Sequence, residues 1–291
     1  MTTHALRVPV STGDTSKAIA VRDDLITGDN GGVLFCADLA FGYSYPAGPL
    51  PRPAPQSPLN GALIRDMTLN NNDASSDNVG GIVYAGGGFD FTGITHKEVG
   101  IEIPATVTAQ LAINNNYVIS WYTKLPSTAD WNQTASINSM ASANELTGQT
   151  YQASPQLFVI CQAQGNILDL RVQQSLGSVA AAGIPVPTGL GYFDDEICQI
   201  SLIIGGGTCE VQIRNQTGGM LAASAGFTGN SENVDLCPIF IGGSPSFANT
   251  GNSAKYRIYR TFVEDISVSG RTPNDVLMAD FARVMARGAF S

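Results

Sequence analysis

Leu168, Leu170 and Val172 alternate with Asp169, Arg171 and Gln173, the two-residue period of a strand with one wet face. Ile200, Leu202 and Ile204 repeat that period and run into Gly205-Gly206-Gly207. Beyond the glycines, Cys209, Val211 and Ile213 alternate with Glu210 and Gln212. Two alternating runs around a glycine triplet predict a hairpin. Val33 to Ala37 predicts a further apolar strand, and from about residue 80 onward the pattern is dense in such segments. Tyr117 to Tyr122 and Leu157 to Cys161 are apolar at successive positions, as strands covered on both faces are.

One helix is predicted, at the C-terminus over residues 272–287. Thr272 can cap it, Pro273 suits the first helical position, and Asp275 lies where the N-terminal dipole favours a carboxylate. Leu277, Phe281, Val284 and Met285 share a face, Arg283 and Arg287 lie near the end, and Gly288 can stop it. The apolar stripe reads as a docking face.

Two segments fall outside this pattern. Residues 1–31 form an N-terminal arm of short β-prone pieces, Leu6 to Val10 and Ile19 to Val21, separated by Ser, Thr, Gly and Asp. So polar a segment has too little apolar surface to order itself, and it is expected to lie against a neighbouring chain. Residues 46–58 carry Pro46, Pro49, Pro51, Pro53, Pro55 and Pro58. Proline at that density removes backbone donors and fixes φ, so this loop is expected to be extended, as a stiff spacer across one end of the fold rather than a recognition strip. Residues 32–291 then make one β-sandwich domain that includes the loop and the helix.

Composition narrows the function classes. Charged residues are 13% of the chain, against roughly 25% in an average soluble domain, while Gly (32) and Pro (15) are plentiful. That is the balance of many short strands joined by turns. The net charge of −9 and the lack of a Lys/Arg cluster argue against a nucleic-acid partner, whose phosphates demand one. Five cysteines (Cys36, Cys161, Cys198, Cys209 and Cys237) are odd in number and mostly sit in apolar runs, so they read as buried thiols of a reducing compartment. The first residues show no charged-then-apolar signal, and no apolar run is long enough to span a bilayer. The expectation is synthesis in a cytoplasm without secretion or a membrane partner, which leaves the sequons at Asn132 and Asn215 without meaning.

In this order the pieces resemble the laminin-G/concanavalin A-like jelly rolls found in virion proteins of tailed bacteriophages. The resemblance rests on the strand and aspartate of Leu34 to Asp38, the turn Ser44-Tyr45-Pro46, the step Gly87-Gly88-Phe89-Asp90 and the strand Tyr117 to Tyr122. It continues through Ile239-Phe240-Ile241-Gly242-Gly243 and closes with an edge strand and helix at Tyr256 to Val268 and Thr272 to Arg287. It covers roughly residues 33–288. Two departures stand out: Gly93-Ile94-Thr95-His96 replaces an acidic pair, and Ile213 to Gly219 replaces a Tyr-x-Asn-Gly hairpin. Both put calcium or sugar binding at the family's usual positions in doubt.

Chemistry-bearing constellations are sparse. With only His4 and His96, a Ser-His-Asp triad or a multi-histidine metal site is nearly excluded. Glycosidases of this fold carry Glu-x-Asp-x-x-Glu, whereas Glu98-Val99-Gly100-Ile101-Glu102 spaces its carboxylates differently and lacks the aspartate. Asp194-Asp195-Glu196 reads as a solvated turn before it reads as a cation site. Gly86-Gly87-Gly88 fails the dinucleotide fingerprint at its third glycine, no Walker lysine is present, and Gly242-Gly243-Ser244-Pro245 completes no nucleophile elbow. Among the aromatics Trp121 reads as core. Trp131, in a polar loop between Asp130 and Asn132, is the candidate for stacking on a glycan or a partner chain.

The sequence therefore predicts an all-β, concanavalin A/laminin-G-like jelly-roll sandwich without catalytic residues, cofactor or metal. The resemblance implies a non-enzymatic structural protein on the exterior of a tailed-phage particle, as capsid decoration or as a tail or fibre component. Its partners would be other virion proteins and copies of itself. The alternative is a carbohydrate-binding adhesin whose partner is a host-surface glycan, with a polysaccharide hydrolase a distant third.

Overall fold

The strand Tyr117–Lys124, buried at every position but the last, lies at the centre of the molecule. The computed structural model describes residues 31–46, 61–68, 70–77, 81–91, 99–125, 136–137, 141–142, 158–164, 167–173, 183–187, 193, 195–217, 219–226, 239–242 and 256–290. In chain order the strands are β1 (Val33–Asp38), β2 (Ala62–Ile64), β3 (Ala74–Asp77), β4 (Val83–Ala85), β5 (Gly88–Asp90) and β6 (Val99–Ile103). Then come β7 (Tyr117–Lys124), β8 (Ser136–Ile137), β9 (Ala141–Ser142), β10 (Phe158–Gln164), β11 (Ile167–Gln173) and β12 (Gly183–Pro187). The last five are β13 (Ile197–Gly205), β14 (Thr208–Asn215), β15 (Gly219–Gly226), β16 (Ile239–Ile241) and β17 (Arg257–Asp265). The helices are α1 (Ala105–Asn114), α2 (Ile266–Ser269) and α3 (Pro273–Arg287).

All the ladders are antiparallel. An 8-stranded sheet runs β15-β14-β13-β7-β17-β5-β4, with β1 also paired to β17. A 5-stranded sheet runs β2-β3-β6-β16-β9, and a 4-stranded sheet runs β12-β11-β10-β8. The first two face each other across one core: Ile119, Trp121, Ile200, Leu202, Val211 and Ile258 from one side meet Ile64, Ile101, Ile103, Ile239 and Ile241 from the other. The expected all-β sandwich is the architecture observed.

Helix α3 adds a third layer, and it explains the missing alternation on β7. On β7, Tyr117, Ile119 and Trp121 face the core between the sheets. Val118 packs beneath Val276 and Leu277 of α3, and Tyr122 beneath Val284. A strand sandwiched between sheet and helix has no wet face, so its polar alternation disappears. The glycine-triplet hairpin forms as predicted, with β13 and β14 in register from Gln199↔Arg214 to Gly205↔Thr208. Gly206 and Gly207 turn at positive φ. The predicted cap of the C-terminal helix also forms: Thr272 Oγ1 accepts from the Asp275 amide, and Gly288 ends the helix in the left-handed region.

Three sequence expectations need correcting. The C-terminal helix has company. Helix α1 forms over Ala105–Asn114 although Thr106, Val107 and Thr108 are weak helix formers. Burial of Val107, Thr108 and Leu111 outweighs propensity, and Asn115 stops the helix at φ 47°. The four-residue α2 lies within the segment expected to be one strand, because Asp265 caps it by accepting from the Ser267 and Val268 amides. Finally, the segment expected to be an edge strand is interior: β17 pairs with β7 on one side and with β1 and β5 on the other. The arm residues 1–30 and loop residues 47–58 lie outside the described residues.

Candidate functional site

The most chemically dense part of the described molecule lies between α3 and the outer face of the 8-stranded sheet. Arg260 projects from β17, 3% exposed, and donates through Nη2 to Asp280 Oδ1 on α3 at 2.6 Å. Its Nη1 reaches Asp38 Oδ2, at the end of β1, at 3.3 Å. Arg287, near the end of α3, donates to the same Asp38 oxygen at 2.6 Å. The Tyr122 hydroxyl donates to Asp280 Oδ2 at 2.7 Å and accepts from Gln199 Nε2 at 3.0 Å, while Gln199 also donates to the Leu277 carbonyl. Two carboxylates and two guanidiniums thus clamp helix to sheet.

Electrostatics here follow from burial. Desolvation works against the Arg260 charge, but Asp280, with Cys36 and Asp38, holds its pKa well above the ordinary value. Burial, reinforced by Asp280, pushes the Tyr122 phenol far up. Burial raises the Cys36 thiol to about 12, only partly opposed by Arg260. Every group in the cluster except Arg287 is buried, and each charge is matched inside the chain. Chemically the cluster is a structural clamp.

The motif residues from the sequence sit at the other joints. Ser44 Oγ accepts from the Asp38 amide and donates to the Arg65 carbonyl, while Tyr45 is buried in the core. Asp90 pairs with Arg257 at 2.6 Å. Gly242 adopts φ 122°, and a β-carbon there would sit 2.7 Å from the Phe91 ring and 2.9 Å from the Gly100 amide nitrogen. A loop from Asp66 to Asn72 covers the outer edge of β1. Asp66 Oδ1 accepts from the Cys36 and Thr68 amides, Asp66 Oδ2 accepts from the Asn72 amide, and the Thr68 hydroxyl donates to the same carboxylate. Asn70 and Asn72 donate to the carbonyls of Val33 and Leu34. Burial raises the Asp66 pKa against the pull of these hydrogen bonds.

The sequence candidates fall differently. Trp131, Asp130 and Asn132 lie outside the described residues, as do His4, His96, Glu98, Asp194 and Cys237. Trp121 is core, as expected. Asp195 is exposed in a turn at φ 57° and pairs with Lys124 at 3.3 Å. Cys36, Cys198 and Cys209 are buried and take part in no disulfide. No group of three or more metal-ligating side chains occurs among the described residues, and no described helix is long and apolar enough to cross a membrane.

The clamp was missed in the sequence, although one signal was present. Asp280 stands three residues after Leu277 and four before Val284, on the face read as apolar. A carboxylate there requires a buried cation opposite.

No protein-family model matches the chain, and no curated protein matches it. Among solved structures the chain is similar to the Trypanosoma rangeli sialidase in complex with sialic acid, at 11% identity and a TM-score of 0.48, over 86% of this chain and 33% of that one. It is similar to the binding domain of Paraclostridial Mosquitocidal Protein 1, at 12% identity and 0.48, over 86% of this chain and 52% of that one. Peanut lectin follows at 11% and 0.43, over 65% of this chain and 88% of that one. The chain spans about a third of the sialidase's length. These similarities assign no activity; the sandwich stands on its own ladders and core.

Proposed function

We propose that the chain is a non-enzymatic structural protein on the exterior of a tailed-phage particle, as capsid decoration or a tail or fibre component. One observation carries most weight. The residues through which the sequence resembles phage virion jelly rolls are joints of the sandwich, and the first and last of them are tied together. Asp38, from the opening strand, binds Arg287 of the closing helix directly and Asp280 through Arg260. The buried charges are thus spent on architecture, as a rigid surface scaffold requires. Its partners on this reading are other virion proteins and further copies of itself, and its location is the virion.

The test is quantitative proteomics of purified phage particles together with labelling of the protein on intact particles. Many copies per particle at an exterior position are expected. Absence from particles, with glycan-array binding by the isolated chain, would replace this reading with the adhesin.

A further inference from the structure

Sheet edges are where this molecule treats its backbone unevenly. The outer edge of β1 is covered by the Asn70 and Asn72 amides and by Asp66. The strands β2, β4, β8 and β9 at other edges have three residues or fewer, and β12 carries Pro185 and Pro187. These are the usual devices against unwanted strand pairing. Among the described residues, strand β15 has none of them. It is 8 residues long, paired to β14 along its whole length, and carries neither charge nor proline in Gly-Met-Leu-Ala-Ala-Ser-Ala-Gly. Met220, Ala222 and Ser224 are exposed, and Leu221, Ala223 and Ala225 are half-buried at the margin of the core. Strand β12 approaches β15, but no ladder joins them.

We infer that this edge receives a strand from the N-terminal arm of a second copy of the chain, through residues 17–22. Thirty residues precede Gly31, and among them Lys17-Ala18-Ile19-Ala20-Val21-Arg22 is free of proline and glycine. Its alternation puts Ile19 and Val21 on one face and Ala18 and Ala20 on the other, matching an edge that is half core and half surface. Main-chain hydrogen bonds supply the affinity in such strand addition, and alternate side chains the register.

Geometry favours a second copy over the chain's own arm. One row of partners runs Val33↔Glu264↔Val118↔Ile203↔Glu210↔Ser224, which sets the start of β1 five strand spacings from β15. At roughly 4.8 Å per spacing that is about 24 Å. The ten residues between Arg22 and Val33 reach about 35 Å at full extension, so the chain's own arm has little slack left to detour round α3, which occupies the centre of that sheet face. Received from a neighbour, the same segment meets no such obstacle and links copies head to tail.

The inference deepens the reading of the chain as an assembling surface protein, yet it is tested on the purified chain without particles. Hydrogen exchange of residues 219–226 and sedimentation velocity are measured over a dilution series for the full chain, for a chain lacking residues 1–30, and for Ile19→Pro. The full chain should associate, and some β15 amides should exchange at least ten-fold slower at high concentration than after dilution. The deletion and Ile19→Pro should both lose association and that protection, with the melting temperature of the sandwich unchanged. Protection that survives dilution would put the arm on its own edge, and association that persists without the arm would mean β15-to-β15 pairing; either overturns the inference. So does equal exchange in all three chains. Each of these results leaves the particle assignment to be judged by proteomics, and absence from particles would leave a positive exchange result standing.

Discussion

Arg260 and Asp280 meet at 2.6 Å with both side chains almost wholly removed from water, and their contact joins the central sheet to the C-terminal helix. A buried pair of this kind contributes little net stability over an apolar pair of the same shape, but removing one member strands the other charge. The helix is consequently fastened in an all-or-none way.

Asp280→Ala should destabilise the protein by roughly 3–5 kcal/mol, because Arg260 is left buried with only the longer contact to Asp38. Arg260→Met combined with Asp280→Leu should cost clearly less than the sum of the two single changes. Urea denaturation of the cycle gives the coupling. Additive effects would show that the two side chains do not act as a pair.

Gly242→Ala tests the isoleucine-glycine step. The added methyl group would meet the Phe91 ring and the Gly100 backbone, at a φ of 122° that side chains avoid. A loss of about 2 kcal/mol or more is expected from strain and displaced packing. Wild-type stability in the variant would mean that β16 and β6 do not approach as closely as described.

Alkaline pH should loosen the fold. Burial raises the Cys36 thiol from 9.0 and the Tyr84 phenol from 10.0, each to about 12. For groups whose folded pKa is raised, the stability is complete below the unfolded value and is lost as pH climbs through the folded one. Unfolding free energy should therefore fall from about pH 9 to pH 12. Tyr84→Phe loses a hydrogen bond to the Leu39 carbonyl, about 1 kcal/mol at pH 8, but its alkaline slope should be shallower. Parallel pH profiles for the two proteins would contradict the assignment.

Trp131→Ala separates structural from sugar-binding roles. Under the structural reading, particle incorporation falls and glycan-array binding does not change. Binding that falls with normal incorporation would support the adhesin, and no change in either would remove Trp131 from both functions.

The local architecture was legible because it depends on neighbours in sequence. Alternation at Ile200 to Ile213 around three glycines leaves few options besides a hairpin, and Thr272, Pro273 and Gly288 delimit a helix by satisfying its own end groups. The succession of apolar positions from Tyr117 to Tyr122 announced a strand covered on both faces, without saying by what. Tertiary structure decided the rest. Helix α1 exists because Val107 and Leu111 find a core that outweighs their β-leaning neighbours, and β17 is interior because β1, β5 and β7 converge on it from three distant parts of the chain. The clamp is non-local in the same way. Asp38 and Arg260 are 222 positions apart, and a charge in an apolar pattern says only that a partner must exist. Which residue answers it is set by long-range packing, since desolvation makes the pair matter only once the layers close.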